Sequence, residues 1–91
     1  MRIEESIITT LKSHDEIVTT ANVYVGARVK RGPDWEWDNQ DRRGEGTVLS
    51  FDQYTAWATV RWDNFYEDEY RIGDDPTNES AYEAYDLKFA E

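Results

Sequence analysis

Cysteine is absent from these 91 residues, which excludes disulfides, a thiolate metal site and a cysteine nucleophile. Leucine is scarce, with only Leu11, Leu49 and Leu87, so a leucine-rich helical interior is not available. No apolar run is long enough to span a membrane, and the N-terminus lacks the charged-then-apolar order of a signal peptide. An intracellular setting, cytoplasmic or nuclear, is therefore expected. Bases are also short: ten against twenty acids, for a net charge of −10. Residues 62–91 hold ten of the acids and two of the bases, so most of the imbalance sits there. Such a field repels phosphate backbones and favours a neutral or basic protein partner over nucleic acid.

What the chain has instead is aromatic. Four tryptophans, six tyrosines and three phenylalanines must supply much of the core. A domain of this length buries only roughly 60–65% of the surface its unfolded chain exposes, so each large ring counts. The length allows one domain. An N-terminal arm over residues 1–22 is expected to pack on a body over residues 23–91. Within the arm, Ile3, Ile7 and Leu11 recur at helical spacing and Ser13 to Glu16 has capping-box spacing. The same stretch is rich in Thr, Ile and Val, which suit strands, so a short helix and an extended arm both remain open.

From Val23 onward the period is two. Val23, Val25, Ala27 and Val29 alternate with polar residues up to Gly32-Pro33, which predicts a first strand. A second is predicted from Gly46 to Phe51. The third, Ala56 to Trp62, sets Ala58, Val60 and Trp62 on one face and Trp57, Thr59 and Arg61 on the other. Asp63-Asn64 has hairpin chemistry, after which Tyr66, Asp68, Tyr70 and Ile72 alternate along a fourth strand. A polar loop from Asp74 to Ala84 leads to a last strand over Tyr85–Phe89. Val29, Val60, Trp62 and Leu87 are expected in the core. About five short strands joined mostly by tight turns indicate an all-β chain, a small closed or partly open barrel. Side chains fill a barrel of this size, so function is expected on its outside.

The segment Gly32–Glu45 carries the functional signal. It is longer than most loops of compact domains and too aromatic to read as disordered. Trp35 and Trp37 would point the same way if it were extended. Gln40 and Asp41 can tie its return path to backbone groups. An extended peptide is expected along a ledge of Trp35, Trp37, Tyr54, Trp57 and Tyr70. Arg71 is expected to pair with Asp34 or Asp41, with a ligand carboxylate as the lesser reading. The expected ligand-binding set is thus Trp35, Trp37, Gln40, Asp41, Tyr54, Trp57, Tyr70 and Arg71. No catalytic group, metal site or cofactor is expected. His14 is single, and the acidic residues near Asp74 do not have the spacing of a calcium loop.

The block Gly26-Ala27-Arg28-Val29-Lys30-Arg31-Gly32-Pro33-Asp34-Trp35-Glu36-Trp37, with Gln40-Asp41 and Gly44-Glu45-Gly46-Thr47-Val48, resembles the Mind bomb/HERC-type (MIB-HERC) domain. Trp57-Ala58-Thr59-Val60-Arg61-Trp62-Asp63, Tyr70-Arg71-Ile72-Gly73 and Tyr85-Asp86-Leu87 follow the same family in order. The resemblance implies an SH3-like β-barrel. It also implies a non-catalytic, partner-recruiting module of RING-type and HECT-type ubiquitin ligases; in Mind bomb such domains engage cytoplasmic tails of Notch ligands. There are departures. Glu36 stands where a basic residue is usual, Asp38 and Arg42 where glycines are usual, and Phe65 where the hairpin normally has glycine. Beside a peptide-binding module, a methyl-lysine reader with an aromatic cage and a purely structural domain of a longer protein remain alternatives.

Overall fold

The computed structural model describes residues 15–74 and 83–90. They form six antiparallel strands: β1 (Arg28–Arg31), β2 (Gly46–Asp52), β3 (Trp57–Trp62), β4 (Glu67–Gly73), β5 (Ala84–Tyr85) and β6 (Leu87–Phe89). The ladder order is β5-β4-β3-β2-β1-β6. The all-β expectation holds, and the expected fifth strand is two short ones divided at Asp86.

That division determines the shape. In a flat sheet of this order the outer strands would lie about 24 Å apart, five spacings of about 4.8 Å. Yet β5 and β6 are consecutive, and one residue reaches only about 3.5 Å. The sheet must therefore curl until its two edges meet one segment. Asp86 stands at that junction. Its N–H donates to the Arg71 carbonyl of β4 at 2.9 Å, while its own carbonyl accepts the Gly32 N–H at 2.6 Å. No ladder joins β5 to β6, so the curled sheet is not a closed barrel. Gly32 is required by this approach. A Cβ there would lie 2.6 Å from the Leu87 nitrogen and 2.8 Å from the Asp86 carbonyl carbon, both backbone atoms.

The third strand follows its alternation: Ala58, Val60 and Trp62 are buried, whereas Trp57 and Thr59 are half-buried and Arg61 is exposed. Strand β2 departs from strict alternation. Its register to β3 slips between Val48 and Ser50, leaving Leu49 as the extra residue of a β-bulge. The slip lets both Val48 and Phe51 pack inward although an odd number of steps separates them. In β4 the inward residues are Tyr70 and Ile72; Tyr66 precedes the strand and Asp68 is exposed.

The first strand begins later than its periodicity predicts. Val23 is buried, but it sits in a turn closed by its own N–H to the Thr19 carbonyl at 3.0 Å. Val25 is 62% exposed. Gly26, at φ +94°, breaks the extended path before Arg28. Of the N-terminal arm, residues 1–14 lie outside the described residues. The remainder lies along β6: Ile17 bridges to Lys88, and the Val18 N–H donates to the Leu87 carbonyl at 3.0 Å. No helix occurs among the described residues.

The core centres on Trp62, Tyr70 and Phe89, ringed by Val18, Val29, Val48, Val60, Ile72 and Leu87. The four core residues expected from pattern are all fully buried. Trp62 donates its indole N–H to the Tyr70 hydroxyl at 2.9 Å, with the rings edge to face at 5.5 Å. Each buried polar tip thereby finds its partner inside the core.

Candidate functional site

Fourteen residues, 32–45, separate β1 from β2 with no strand of their own. They do not run extended. Successive turns fold them back: Trp35 N–H to Gly32 carbonyl at 3.4 Å, Gln40 to Trp37 at 3.2 Å, Arg42 to Asn39 at 2.9 Å and Gly44 to Asp41 at 2.8 Å. Asp38, Arg42 and Arg43 take left-handed backbone angles, φ 54°, 50° and 56°. Asp tolerates that region better than most residues; arginine does not. The extended path on which both indoles would point the same way is therefore not taken.

Both are instead fixed on the core. Trp35 stacks on Tyr70 at 5.2 Å and 16° and meets Trp62 edge-on at 5.6 Å. Its N–H donates to the Asp38 carbonyl at 2.8 Å, and the Arg31 guanidinium lies 5.2 Å from its ring. Trp37 meets Tyr70 edge-on at 6.2 Å and donates to the Asp86 carboxylate at 2.9 Å. The Arg71 guanidinium sits 5.3 Å from the Trp37 ring. Both indoles remain half-buried, so part of each ring system still faces solvent.

Two buried carboxylates anchor the arrangement. Asp41 accepts two hydrogen bonds from Arg31, at 2.8 and 2.6 Å, and the Arg43 N–H at 3.0 Å. Burial alone would raise its pKa, but the Arg31 fork and the Arg43 amide outweigh burial and hold the carboxyl below its ordinary value. Asp86, fully buried, accepts from the Arg71 guanidinium at 2.9 and 2.7 Å, from the Arg71 N–H at 2.8 Å and from Trp37. Arg71 thus pairs with Asp86, not with the carboxylate of Asp34 or Asp41. Asp34 contributes only its carbonyl to Arg71, at 3.0 Å, and Glu36 adds an outer ion pair at 2.8 Å. Sequence reasoning missed Asp86. An aspartate inside an apolar closing strand was the available signal, because Asp is disfavoured in strands unless something holds it there.

Gln40 accepts the Tyr70 hydroxyl at 2.7 Å and, through its carbonyl, the Asn64 amide at 3.0 Å. Burial pushes the Tyr70 hydroxyl up to about 12, so it stays a neutral donor in this relay. Trp35, Trp37, Gln40, Tyr70 and Arg71 are therefore brought together, with fully buried Tyr70 as floor rather than surface. Asp41 joins them through Arg31. Trp57 faces Arg71 across the β3–β4 register, on the side of the sheet opposite Tyr70. Tyr54, 70% exposed, stands in the β2–β3 turn. Trp57 lines its own open hollow of about 380 Å³ with Ser50, Asp52, Thr59 and Glu69. The Trp35 side opens on a larger hollow of about 710 Å³, bordered by Arg31, Glu36, Asp38, Asn39 and Arg43. Trp35 and Trp57 thus border separate hollows, and Tyr70 lies buried rather than on a ledge.

A curled antiparallel sheet carrying one long, aromatic, internally braced loop defines a small β module. Comparison with known proteins is specific about which one: the Mib_herc2 family model matches residues 26–91, and the chain belongs to that family. Over 66 residues it is 41% identical to the E3 ubiquitin-protein ligase Ufd4 of Drosophila melanogaster, covering 72% of this chain and 2% of that protein. Over 73 residues it is 37% identical to human E3 ubiquitin-protein ligase HERC2, covering 78% of this chain and 1% of HERC2. The Drosophila E3 ubiquitin-protein ligase mind-bomb is 43% identical over 67 residues, 70% of this chain and 5% of the relative. The chain thus corresponds to a small fraction of each ligase. No helix among the described residues is long and apolar enough to cross a membrane.

Proposed function

We propose that this domain is a non-catalytic protein-interaction module which holds an extended segment of a partner against the 32–45 loop, as part of the ubiquitin-ligase machinery its relatives belong to. One observation carries the reading: two half-buried indoles are locked by ring contacts, N–H bonds and buried ion pairs, and one of them, Trp35, borders an open hollow. Rigid amphipathic rings bind at low entropic cost because little motion remains to be lost. The small share of each ligase that the domain represents supports recruitment rather than the ubiquitin-transfer chemistry itself. The net charge of −10 supports a partner that is neutral or basic overall. A methyl-lysine cage has less support, since arginines already lie against both indoles of the loop.

The test is selection of short peptides on the intact chain, followed by titration against variants. Trp35→Leu keeps apolar bulk over Tyr70 but removes the indole edge. It is expected to weaken a selected peptide about tenfold with the fold intact by circular dichroism. Trp57→Leu, on the other side of the sheet, is expected to leave binding unchanged. Unchanged binding by a folded Trp35→Leu variant, or loss only in Trp57→Leu, would remove the loop as the site.

A further inference from the structure

The described residues contain eight arginines and lysines. Six of them, Arg28, Lys30, Arg31, Arg61, Arg71 and Lys88, lie within 3.5 Å of a carboxylate oxygen. The two others are adjacent, Arg42 and Arg43, and both are exposed. A chain with twice as many acids as bases has no shortage of carboxylates to pair them. Both also hold left-handed backbone angles, where a side chain costs energy that glycine would avoid.

Across from Arg42 lies a second residue that neither stability nor solubility favours. Phe65, at the tip of the β3–β4 hairpin, has φ +74° and is 84% exposed. A bulky residue in that region is a genuine outlier. Its position is firmly set: its N–H donates to the Trp62 carbonyl at 2.8 Å, Asn64 accepts the Tyr66 N–H at 2.8 Å, and Asn64 ties the tip to the Gln40 carbonyl at 3.0 Å. Between hairpin and loop is an open hollow of about 400 Å³ lined by Asn39, Gln40, Arg42, Asn64, Phe65 and Tyr66. Asn39 also borders the Trp35 hollow, which Arg43 lines.

We infer that the hairpin tip and the loop turn form a second docking surface, which takes a short acidic stretch of a partner protein carrying an apolar side chain. The apolar group packs on Phe65 and the carboxylates meet Arg42 and Arg43. Charge complementarity selects this occupant: Arg42 lines the hollow beside the exposed ring, and the adjacent Arg43, on the Trp35 hollow, adds a second guanidinium with no carboxylate partner among the described residues. The chain's overall negative charge does not forbid it, because charges beyond a Debye length of about 8 Å are largely screened at physiological salt. A long polyanion such as nucleic acid is a poorer fit, since it would meet the remaining acidic surface. The surface adjoins the Trp35 hollow, with which it shares Asn39 and Arg43, so Phe65 and Arg42, which line only the hairpin side, are the residues that tell the two apart.

The experiment titrates the full chain with a short fluorescein-labelled peptide that alternates Glu with Leu around one Phe. Controls are the same peptide with Lys for Glu, with Ser for Leu and Phe, and a single-stranded oligonucleotide. Only the acidic-apolar peptide is expected to bind, with affinity falling as salt rises. Phe65→Gly and Arg42→Gly are each expected to weaken it about tenfold while raising the thermal midpoint, because each relieves a left-handed side chain. Trp35→Leu is expected to leave it unchanged. The inference fails if the Lys peptide or the oligonucleotide binds as well, if no peptide binds, or if neither glycine variant weakens binding. It also fails if the glycine variants lower the midpoint, which would make Phe65 and Arg42 structural, or if only Trp35→Leu weakens binding, which would assign the contact to the indole hollow.

Discussion

Replacing Asp86 by alanine is expected to cost the fold about 3–5 kcal/mol, the range for stripping one partner from a buried ion pair. Total stability for a chain of 91 residues is roughly 5–14 kcal/mol, so the variant would be close to unfolding at ordinary temperature. The loss follows from what stays behind. The Arg71 guanidinium, its backbone N–H and the Trp37 indole N–H all donate to this one carboxylate. Glu36 still neutralises part of Arg71, but it is largely exposed and recovers little. Because β5 and β6 meet at Asp86, the damage also reaches both edges of the sheet. Urea unfolding measures it. Adding Arg71→Met to Asp86→Ala should restore part of the loss by removing the stranded charge, and the two changes should be strongly non-additive. A cost below about 1 kcal/mol, or simple additivity, would show that the pair is not the junction's anchor.

How far the sequence announces such features depends on how local their causes are. Strand β3 was legible because its two faces differ in kind: Ala58, Val60 and Trp62 against Trp57, Thr59 and Arg61. The loop was legible from its length and its two tryptophans. Val23 and Val25 misled because β-branched residues at period two satisfy a strand template even where Gly26 turns the backbone left-handed. The bulge at Leu49 leaves no mark in local pattern; it arises from pairing with β3. The partner of Arg71 was harder still. Several aspartates were chemically equivalent candidates, and the one selected lies fifteen residues away, at the β5–β6 junction brought alongside β4 by the curl of the sheet. The loop's aromatic character was readable; the direction of each indole was not, because that depends on Tyr70 and Asp86 rather than on spacing within the loop.

The Arg31–Asp41 pair should make the loop, and with it the Trp35 hollow, sensitive to acid. Asp41 is buried, and Arg31 with the Arg43 amide keeps its carboxyl below the ordinary value against the opposing effect of burial. Its folded pKa is therefore lower than its unfolded one, near 3.9. The resulting stabilisation is fully present above that unfolded value and disappears as pH falls through the folded one, since the unfolded chain takes up the proton first. Asp41→Asn keeps the size of the side chain but leaves Arg31 without its counter-charge. With Arg31 partly exposed, the cost at pH 7 should fall below the buried-pair range, at about 2–3 kcal/mol. The gap between wild type and variant should begin to narrow as pH drops below about 4, where the unfolded chain takes up the proton, and close at still lower pH as the native carboxyl is neutralised too. Urea midpoints at neutral and acid pH measure this directly. The same substitution should loosen Trp35, because Arg31 lies over that ring and is oriented by Asp41. Its fluorescence would then respond to the substitution at neutral pH and no longer at acid pH. A stability difference that stays constant with pH would mean that the charge of Asp41 does not hold the loop, leaving only its shape and its backbone bonds.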